Sequence, residues 1–291
     1  YFDIKKLRVV FDRAAKGYEE ECSFEDLMDS FKKNLVDDIK TSDIEALMVK
    51  TCIDLVTVEN ISWQNVAARI LLGGLYKKAI KNRGLAQKDI YSAAAYKAHF
   101  DHYIENGLYY KDFYKHYSEE DILEAGKHLC KETDEGYEYT TIVSCIKRYL
   151  LNPNKVIREL PQEMYMSIAL FLAIPEKKEH RLALALKIYE HCSLQRISLP
   201  TPTLLNSRTN YHQLSSCFKI NVDDDLRGIY HAVENMAQIS KFGGGVGVYL
   251  GNIRSRGSSI RGVKGMSGGV NPWIKVINDT AVAVNQLGAR L

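Results

Sequence analysis

The sequence predicts a mixed α+β / α/β chain, mostly helical at first and then turning to strand, helix, strand, helix. Three observations carry that expectation. Apolar residues recur at three- and four-residue spacing from Ile4 to about Leu194. The pattern changes near Ser198, where Pro200 and Pro202 bracket Thr201. Beyond it, two short β-like runs, Cys217–Val222 and Val246–Leu250, flank a helical stretch.

Taken in order, Leu7, Val10, Phe11 and Ala14 form the apolar stripe of an amphipathic helix. Ser42-Asp43-Ile44-Glu45 is a capping box, in which Ser42 and Glu45 each satisfy an orphan amide at a helix start. Ile44, Met48, Cys52 and Leu55 then run along one face. Trp63 to Ala79 reads as another helix, with Ala67 and Ala68 small enough for close packing. Further helices are expected at about 88–104, 118–130, 138–150, 161–174 and 178–194, with Pro161 in a first turn and Pro175 at a break. Pro200 and Pro202 call for extended backbone around Thr201. A helix at about 226–240 lies between the two strands, and another at about 272–285 follows the second, an α/β beginning. The composition shift near 195 and a softer one near Asn82-Arg83-Gly84 divide the chain into 1–80, 81–195 and 196–291.

Composition bounds the function. The 291 residues are 46% apolar and 26% charged, ordinary for a packed soluble protein. A net charge of +3 is too mild for a nucleic-acid partner. No apolar run approaches the roughly 18 to 20 residues that span a bilayer, and there is no signal-peptide pattern. The chain begins at Tyr1 rather than Met, so a preceding segment is expected. Six cysteines lie far apart with no C-x-x-C pair and no metal-ligand spacing, which reads as reduced thiols in a cytoplasmic protein. Five of them are expected to be plain helix or core residues. Cys217, at a strand entrance after Ser215-Ser216, is the exception.

Gly243-Gly244-Gly245-Val246-Gly247 invites a dinucleotide-binding reading, but that fingerprint needs a strand before the glycines and a helix after them. Here the order is reversed, and the reading fails. Two alternatives stay open: a helix C-cap with a tight turn, or bare backbone against which a ligand lies. Ser198 to Asn206 offers hydroxyls and amides beside its prolines, suited to holding a phosphate. Asp223-Asp224-Asp225 begins a helix, where carboxylates cap and favour the dipole. Arg254, Arg256 and Arg261, interleaved with Gly251, Gly257 and Gly262, form a basic glycine-rich loop, and arginine's planar fork suits phosphate.

Each signal alone is weak, but their order and spacing are specific. Leu199-Pro-Thr-Pro-Thr203, Leu214-Ser-Ser-Cys217, Asp224, Gly243-Gly-Gly-Val-Gly247, Ile253-Arg254, Gly257-Ser258 and Gly262 together resemble the large subunit of ribonucleotide reductase. Pro161-Gln-Glu-Met-Tyr-Met166 and Ile174-Pro-Glu176 fit the same family, and Asn285-Gln-Leu-Gly-Ala-Arg290 resembles the start of its second specificity loop. The resemblance implies an ATP-cone-like domain over 1–80, a helical domain over 81–195, and the first strands of a ten-stranded α/β barrel over 196–291.

It also implies a chemistry, in which a cysteine thiyl radical removes the ribose 3′-hydrogen. Two further cysteines then reduce the 2′-position and become a disulfide. Cys217 matches the first of these reducing cysteines. Thr201, Ser216, Gly244 and Gly245 match substrate-contacting positions. Asp224, Asp225, Leu226, Arg254, Arg261, Gln286 and Arg290 match the site where a deoxynucleoside triphosphate sets substrate choice. Lys6, Thr41 and Lys77 match nucleotide contacts of the ATP-cone. Two departures bear on the cone: its opening β-hairpin is missing before Tyr1, and Glu45 stands where relatives carry histidine.

The radical cysteine, the second reducing cysteine and the acid beside the substrate belong to the family's later half. Activity is therefore expected only with a complement, as in a split or truncated large subunit. Implied partners are the C-terminal half, a small metal-containing subunit that supplies the radical, and thioredoxin or glutaredoxin as reductant. ATP and dNTPs are the implied effectors, and an oligomer is expected. The alternative is a nucleotide-binding regulatory or assembly module without catalysis.

Overall fold

The computed structural model describes residues 3–36 and 39–284, with the side chains of Thr41 and Ser42 outside the described set. The chain divides into two compact units, Tyr1–Leu199 with Arg208–Asn210, and Pro200–Ser207 with Tyr211–Leu291.

The first unit is helical. Its opening part is built from α1 (Ile4–Ala14), α2 (Phe24–Lys33), α3 (Thr41–Asp54) and α4 (Trp63–Arg83). Asp3 and Ser23 cap α1 and α2 by accepting backbone amides. The apolar stripes meet in one core, with Leu7, Phe11, Leu27, Phe31, Met48 and Trp63 among its buried members. Helix α3 starts two residues earlier than the expected capping box, with Lys40 rather than Ser42 at the N-cap. Near its middle α4 carries Gly73 and Gly74, where a β-carbon would collide with the side chains of Arg13 and Glu45 respectively. The glycines admit those two groups against the helix backbone.

The unit continues with α5 (Ala93–Glu105), α6 (Glu119–Lys127), α7 (Lys131–Glu135), α8 (Tyr139–Ser144), α9 (Pro161–Leu172) and α10 (Lys178–Ser193). The helix expected over 138–150 divides, because α8 widens into a π turn at Cys145–Tyr149. Pro161 occupies the first turn of α9, where its missing N–H costs nothing. The segment Pro161-Gln-Glu-Met-Tyr-Met166 has a structural explanation, since Gln162 and Glu163 are both buried. Gln162 Nε2 donates to Asp134 Oδ1 at 2.7 Å and accepts through Oε1 from Tyr189 at 2.6 Å. Glu163 pairs with Arg83 at 2.6 Å. Burial nevertheless pushes the Glu163 carboxyl up to about 7, against the pull of Arg83.

Nearby, Arg208 makes a bidentate pair with Glu159, Nε to Oε1 and Nη2 to Oε2, each at 2.9 Å. Both side chains are fully buried. Tyr109 also donates to Glu159 Oε1 at 2.6 Å.

The second unit opens with α11 (Thr201–Asn206). This corrects the expectation of extended backbone around Thr201. Pro200 is extended, at φ −67° and ψ 150°, and acts as N-cap, while Thr201 and Pro202 are already helical. Pro202 falls in the first turn, where its ring geometry suits a helix and its missing donor is not needed. After it come β1 (Cys217–Asn221), α12 (Leu226–Lys241), β2 (Gly245–Tyr249) and α13 (Asn271–Ala283). The two strands pair in parallel, Cys217 opposite Gly245 and Asn221 opposite Tyr249. A parallel pair needs a crossover, and α12 provides it.

Burial alternates along both strands. On one face, Ile220 and Val248 pack against a core of Val222, Ile229 and Ala232. The other face carries Cys217, Lys219, Asn221, Gly245, Gly247 and Tyr249, all exposed. Trp273 of α13 meets Tyr230 of α12 edge-on, with ring centroids 6.0 Å apart. Among the described residues, no helix is long and apolar enough to cross a membrane.

Candidate functional site

The thiol end comes first. Cys217 is free and exposed at the start of β1. Ser216 Oγ lies 3.7 Å from its Sγ, and Gly245 N–H donates to Ser216 O at 2.7 Å. The structure thus brings together Ser216, Cys217, Gly244 and Gly245. The glycine run divides its labour between the two alternatives left open by sequence. Gly243, at φ +81°, turns the chain out of α12. Gly244 is there for space, because a β-carbon would sit 2.5 Å from Ile239 Cγ2 and 2.9 Å from Phe218 Cε2. Gly245 and Gly247 leave the exposed strand face bare beside the thiol. A ligand can therefore approach the sulfur over the bare backbone of Gly245, its partner across the strands.

The opposite ends of the same strands carry the acid and the arginine. Asp225 is the N-cap of α12, its carboxylate accepting from Gly228 N–H, and Leu226 is the first helical residue. Asp224 binds Arg254 three ways: its Oδ1 accepts the Arg254 backbone N–H at 3.0 Å, its Oδ2 accepts Nε–H at 2.7 Å, and its carbonyl accepts Nη2–H at 3.0 Å. The Arg254 amide, then the guanidinium, hold the Asp224 carboxyl below the usual carboxylate range. Arg254 Nη1 also donates to Ser259 O at 3.0 Å. Three of five guanidinium N–H groups are engaged, so two remain for a ligand. Arg261, at φ +50°, forms with Gly262 the tip of a two-residue turn closed by mutual Ile260–Val263 hydrogen bonds of 3.0 Å. It is exposed, two residues beyond Ser259, whose carbonyl Arg254 holds.

The strand sets the separation of these two groups. Four steps from Cys217 to Asn221, at about 3.3 Å each, put the thiol end and the acid–arginine end about 13 Å apart along β1. Thr201 opens the separate helix α11. Gln286 and Arg290 lie outside the described residues, as does the side chain of Thr41.

In the first unit, Lys77 of α4 meets Glu45 of α3 at 3.6 Å. Lys6 is exposed on α1, and no hydrogen bond or ion pair joins it to Lys77 among the described residues. Of the five cysteines expected to be plain helix or core residues, Cys130 is the exposed one. It stands at the N-cap of α7 and its thiol donates to Glu132 Oε2 at 3.3 Å, whereas Cys22, Cys52, Cys145 and Cys192 are buried. Sequence reasoning missed Arg13 and the Gly73-Gly74 pair that receives it. A glycine pair inside an apolar helical pattern was the available signal, since glycine there weakens a helix unless something needs the room.

Residues 136–212 match the family model described as the all-alpha domain of ribonucleotide reductase, and residues 215–291 match its barrel domain. Among curated proteins, the chain is 38% identical over 261 residues to a ribonucleoside-diphosphate reductase subunit alpha of Treponema pallidum, covering 89% of this chain and 30% of that one. It is 37% identical over 288 residues to the Synechocystis protein of the same name, covering 99% and 36%. The Helicobacter pylori protein of that name is 37% identical over 257 residues, covering 87% and 31%. The chain therefore spans about a third of the length of these relatives. With an all-alpha domain and the opening strands of the barrel both matched, the chain belongs to the ribonucleotide reductase large-subunit family.

Proposed function

We propose that the chain contributes one reducing thiol, part of a substrate cradle and a dNTP specificity site to the reduction of ribonucleoside diphosphates. The observation that carries this reading is the exposed Cys217 thiol beside the bare backbone of Gly245, on the strand face turned away from α12. A ribose can lie across that face with its 2′-carbon near sulfur. In the net reaction the 2′-hydroxyl leaves as water and the 2′-carbon gains hydrogen. Cys217 and a second cysteine give up two electrons and two protons and join as a disulfide. That second thiol, the radical-bearing cysteine and the metal-containing radical generator belong to the remaining length and partners of the relatives. Thioredoxin or glutaredoxin would reopen the disulfide. Thr201, Ser216 and Gly244 complete the cradle.

Asp224 and Arg254, with Asp225, Leu226, Arg261, Gln286 and Arg290, form the specificity site in this reading. Asp224 and Arg254 follow the carboxyl ends of the two parallel strands, where α/β folds bind ligands. Lys6, Thr41 and Lys77 serve as cone contacts for ATP or dATP. The test uses the chain together with its complementing partners. Cys217→Ser is expected to abolish turnover and leave dNTP binding intact. Arg254→Ala is expected to weaken dNTP binding by about 10- to 100-fold, the ~1.5–3 kcal/mol of a charge-assisted hydrogen bond. Turnover surviving Cys217→Ser would sink the thiol assignment, and unchanged dNTP affinity in Arg254→Ala would leave that arginine a purely structural tie.

A further inference from the structure

Besides the thiol and the glycines, the exposed face of the β1–β2 pair carries Lys219, Asn221 and Tyr249. Lys219 is the one cation among these strand residues, and no carboxylate shares the face with it. Among the described residues it makes no hydrogen bond or ion pair.

The register sets Gly247 directly across from Lys219, as it sets Gly245 across from Cys217. Nothing within the described residues requires a glycine at 247. Its backbone is ordinary strand without a positive φ. A β-carbon there would meet nothing nearer than Phe218 O at 3.8 Å. Gly244 differs, because packing against Ile239 and Phe218 explains it. Glycine inside a strand weakens it and often marks a place where a ligand comes close. The bare strip therefore runs past the lysine as well as past the thiol.

Charge identifies what the strip receives. Thr201, Ser216, Gly244 and Gly245, the proposed cradle, are all uncharged, whereas a ribonucleotide is a polyanion. Taking phosphate out of water against neutral groups alone is costly, and a cation offsets that cost. Lys219 stands two residues along β1 from Cys217 on the same face, which separates their α-carbons by about 7 Å. The 5′-phosphorus of a ribonucleotide lies a few bonds from its 2′-carbon, a comparable span. The flexible lysine stem adapts to the remainder.

We propose that Lys219 is a further substrate-binding residue, its ammonium holding the 5′-phosphate of the nucleotide whose 2′-carbon lies at Cys217. This rests on the function proposed above. It adds the counter-charge that the neutral cradle lacks, and with it a means of preferring nucleotides over uncharged nucleosides.

The test uses the chain assembled with its complementing partners, a ribonucleoside diphosphate as ligand and the uncharged ribonucleoside as control. Lys219→Met keeps the stem and removes the charge. It is expected to raise KM for the diphosphate about tenfold while kcat stays within about twofold. Equilibrium binding of the diphosphate should weaken alike, and binding of the nucleoside should not change. Lys219→Arg is expected to restore most of the affinity. Gly247→Val, whose β-branched side chain suits a strand, is expected to weaken diphosphate binding by filling the strip. An unchanged KM in Lys219→Met overturns the proposal, and so does an equal loss of nucleoside binding, which would make the effect one of shape. Weakened association with the complement, with diphosphate binding intact once assembled, would make Lys219 an assembly contact and overturn it too. If Cys217→Ser abolishes turnover while Lys219→Met leaves KM unchanged, this inference alone fails. Turnover surviving Cys217→Ser removes the underlying reading and this inference with it.

Discussion

Asp134 is fully buried, and a carboxylate without water must be held by donors. The hydroxyls of Tyr76 and Tyr91 donate to Oδ2 at 2.6 and 2.5 Å, and Gln162 Nε2 donates to Oδ1 at 2.7 Å. Burial still outweighs these bonds and pushes the carboxyl up to about 6. A raised carboxyl favours the protonated form in the folded state. Its contribution to stability is therefore complete below the unfolded value of 3.8 and lost as pH rises through about 6. Urea melts of the wild type and Asp134→Asn should differ accordingly, with the difference growing in favour of wild type as pH falls from about 6 to about 4. The span is up to about 3 kcal/mol, at about 1.4 kcal/mol per pH unit between folded and unfolded ionisations. Buried His99, whose imidazole burial pushes down, runs the opposite way but is common to both proteins. A flat difference across that range would show that Asp134 is ionised throughout. None of this was legible in the sequence, where Asp134 sits in an ordinary charged stretch. Cys217 was legible because its neighbours fix a motif. Asp224 and Arg254 were assigned to one site, but their mutual pairing could not be read from residues thirty positions apart.

At the scale of elements, alternation and helical spacing told most of the story. Both strands fell within one residue of expectation because apolar alternation marks a half-buried strand. Helix α11 was missed because two prolines argue for extended chain, yet one can cap a helix and the other can occupy its first turn. The π turn after α8 has no simple periodicity to betray it. The βαβ element itself can be tested through Gly244. An added methyl must displace Ile239 and Phe218, which are held between α12 and the strands. Gly244→Ala is expected to lower the stability of this unit by about 1–3 kcal/mol, the range for overpacking. Chemical denaturation followed by Trp273 fluorescence would read it. An unchanged midpoint would mean that the α12–β2 turn is loose enough to absorb a methyl.

For the whole molecule, the helical and α/β characters were readable from composition and period, whereas the route of the chain was not. The helical unit includes Arg208–Asn210, after α11 has already entered the other unit. Glu159 depends on that return, since its bidentate partner is Arg208. The match to the all-alpha family model likewise runs to residue 212, past this arginine. Expression boundaries should respect this route. A polypeptide cut after Leu199 would strand an anion in a dry interior with, among the described residues, Tyr109 and the Leu151 amide left to solvate it. Truncation there is expected to cost about 3–5 kcal/mol relative to one ending after Asn210, as when one member of a buried pair is deleted. Equal melting temperatures for the two lengths would refute that. Eleven residues of unremarkable tail thus decide whether the helical half can be produced by itself.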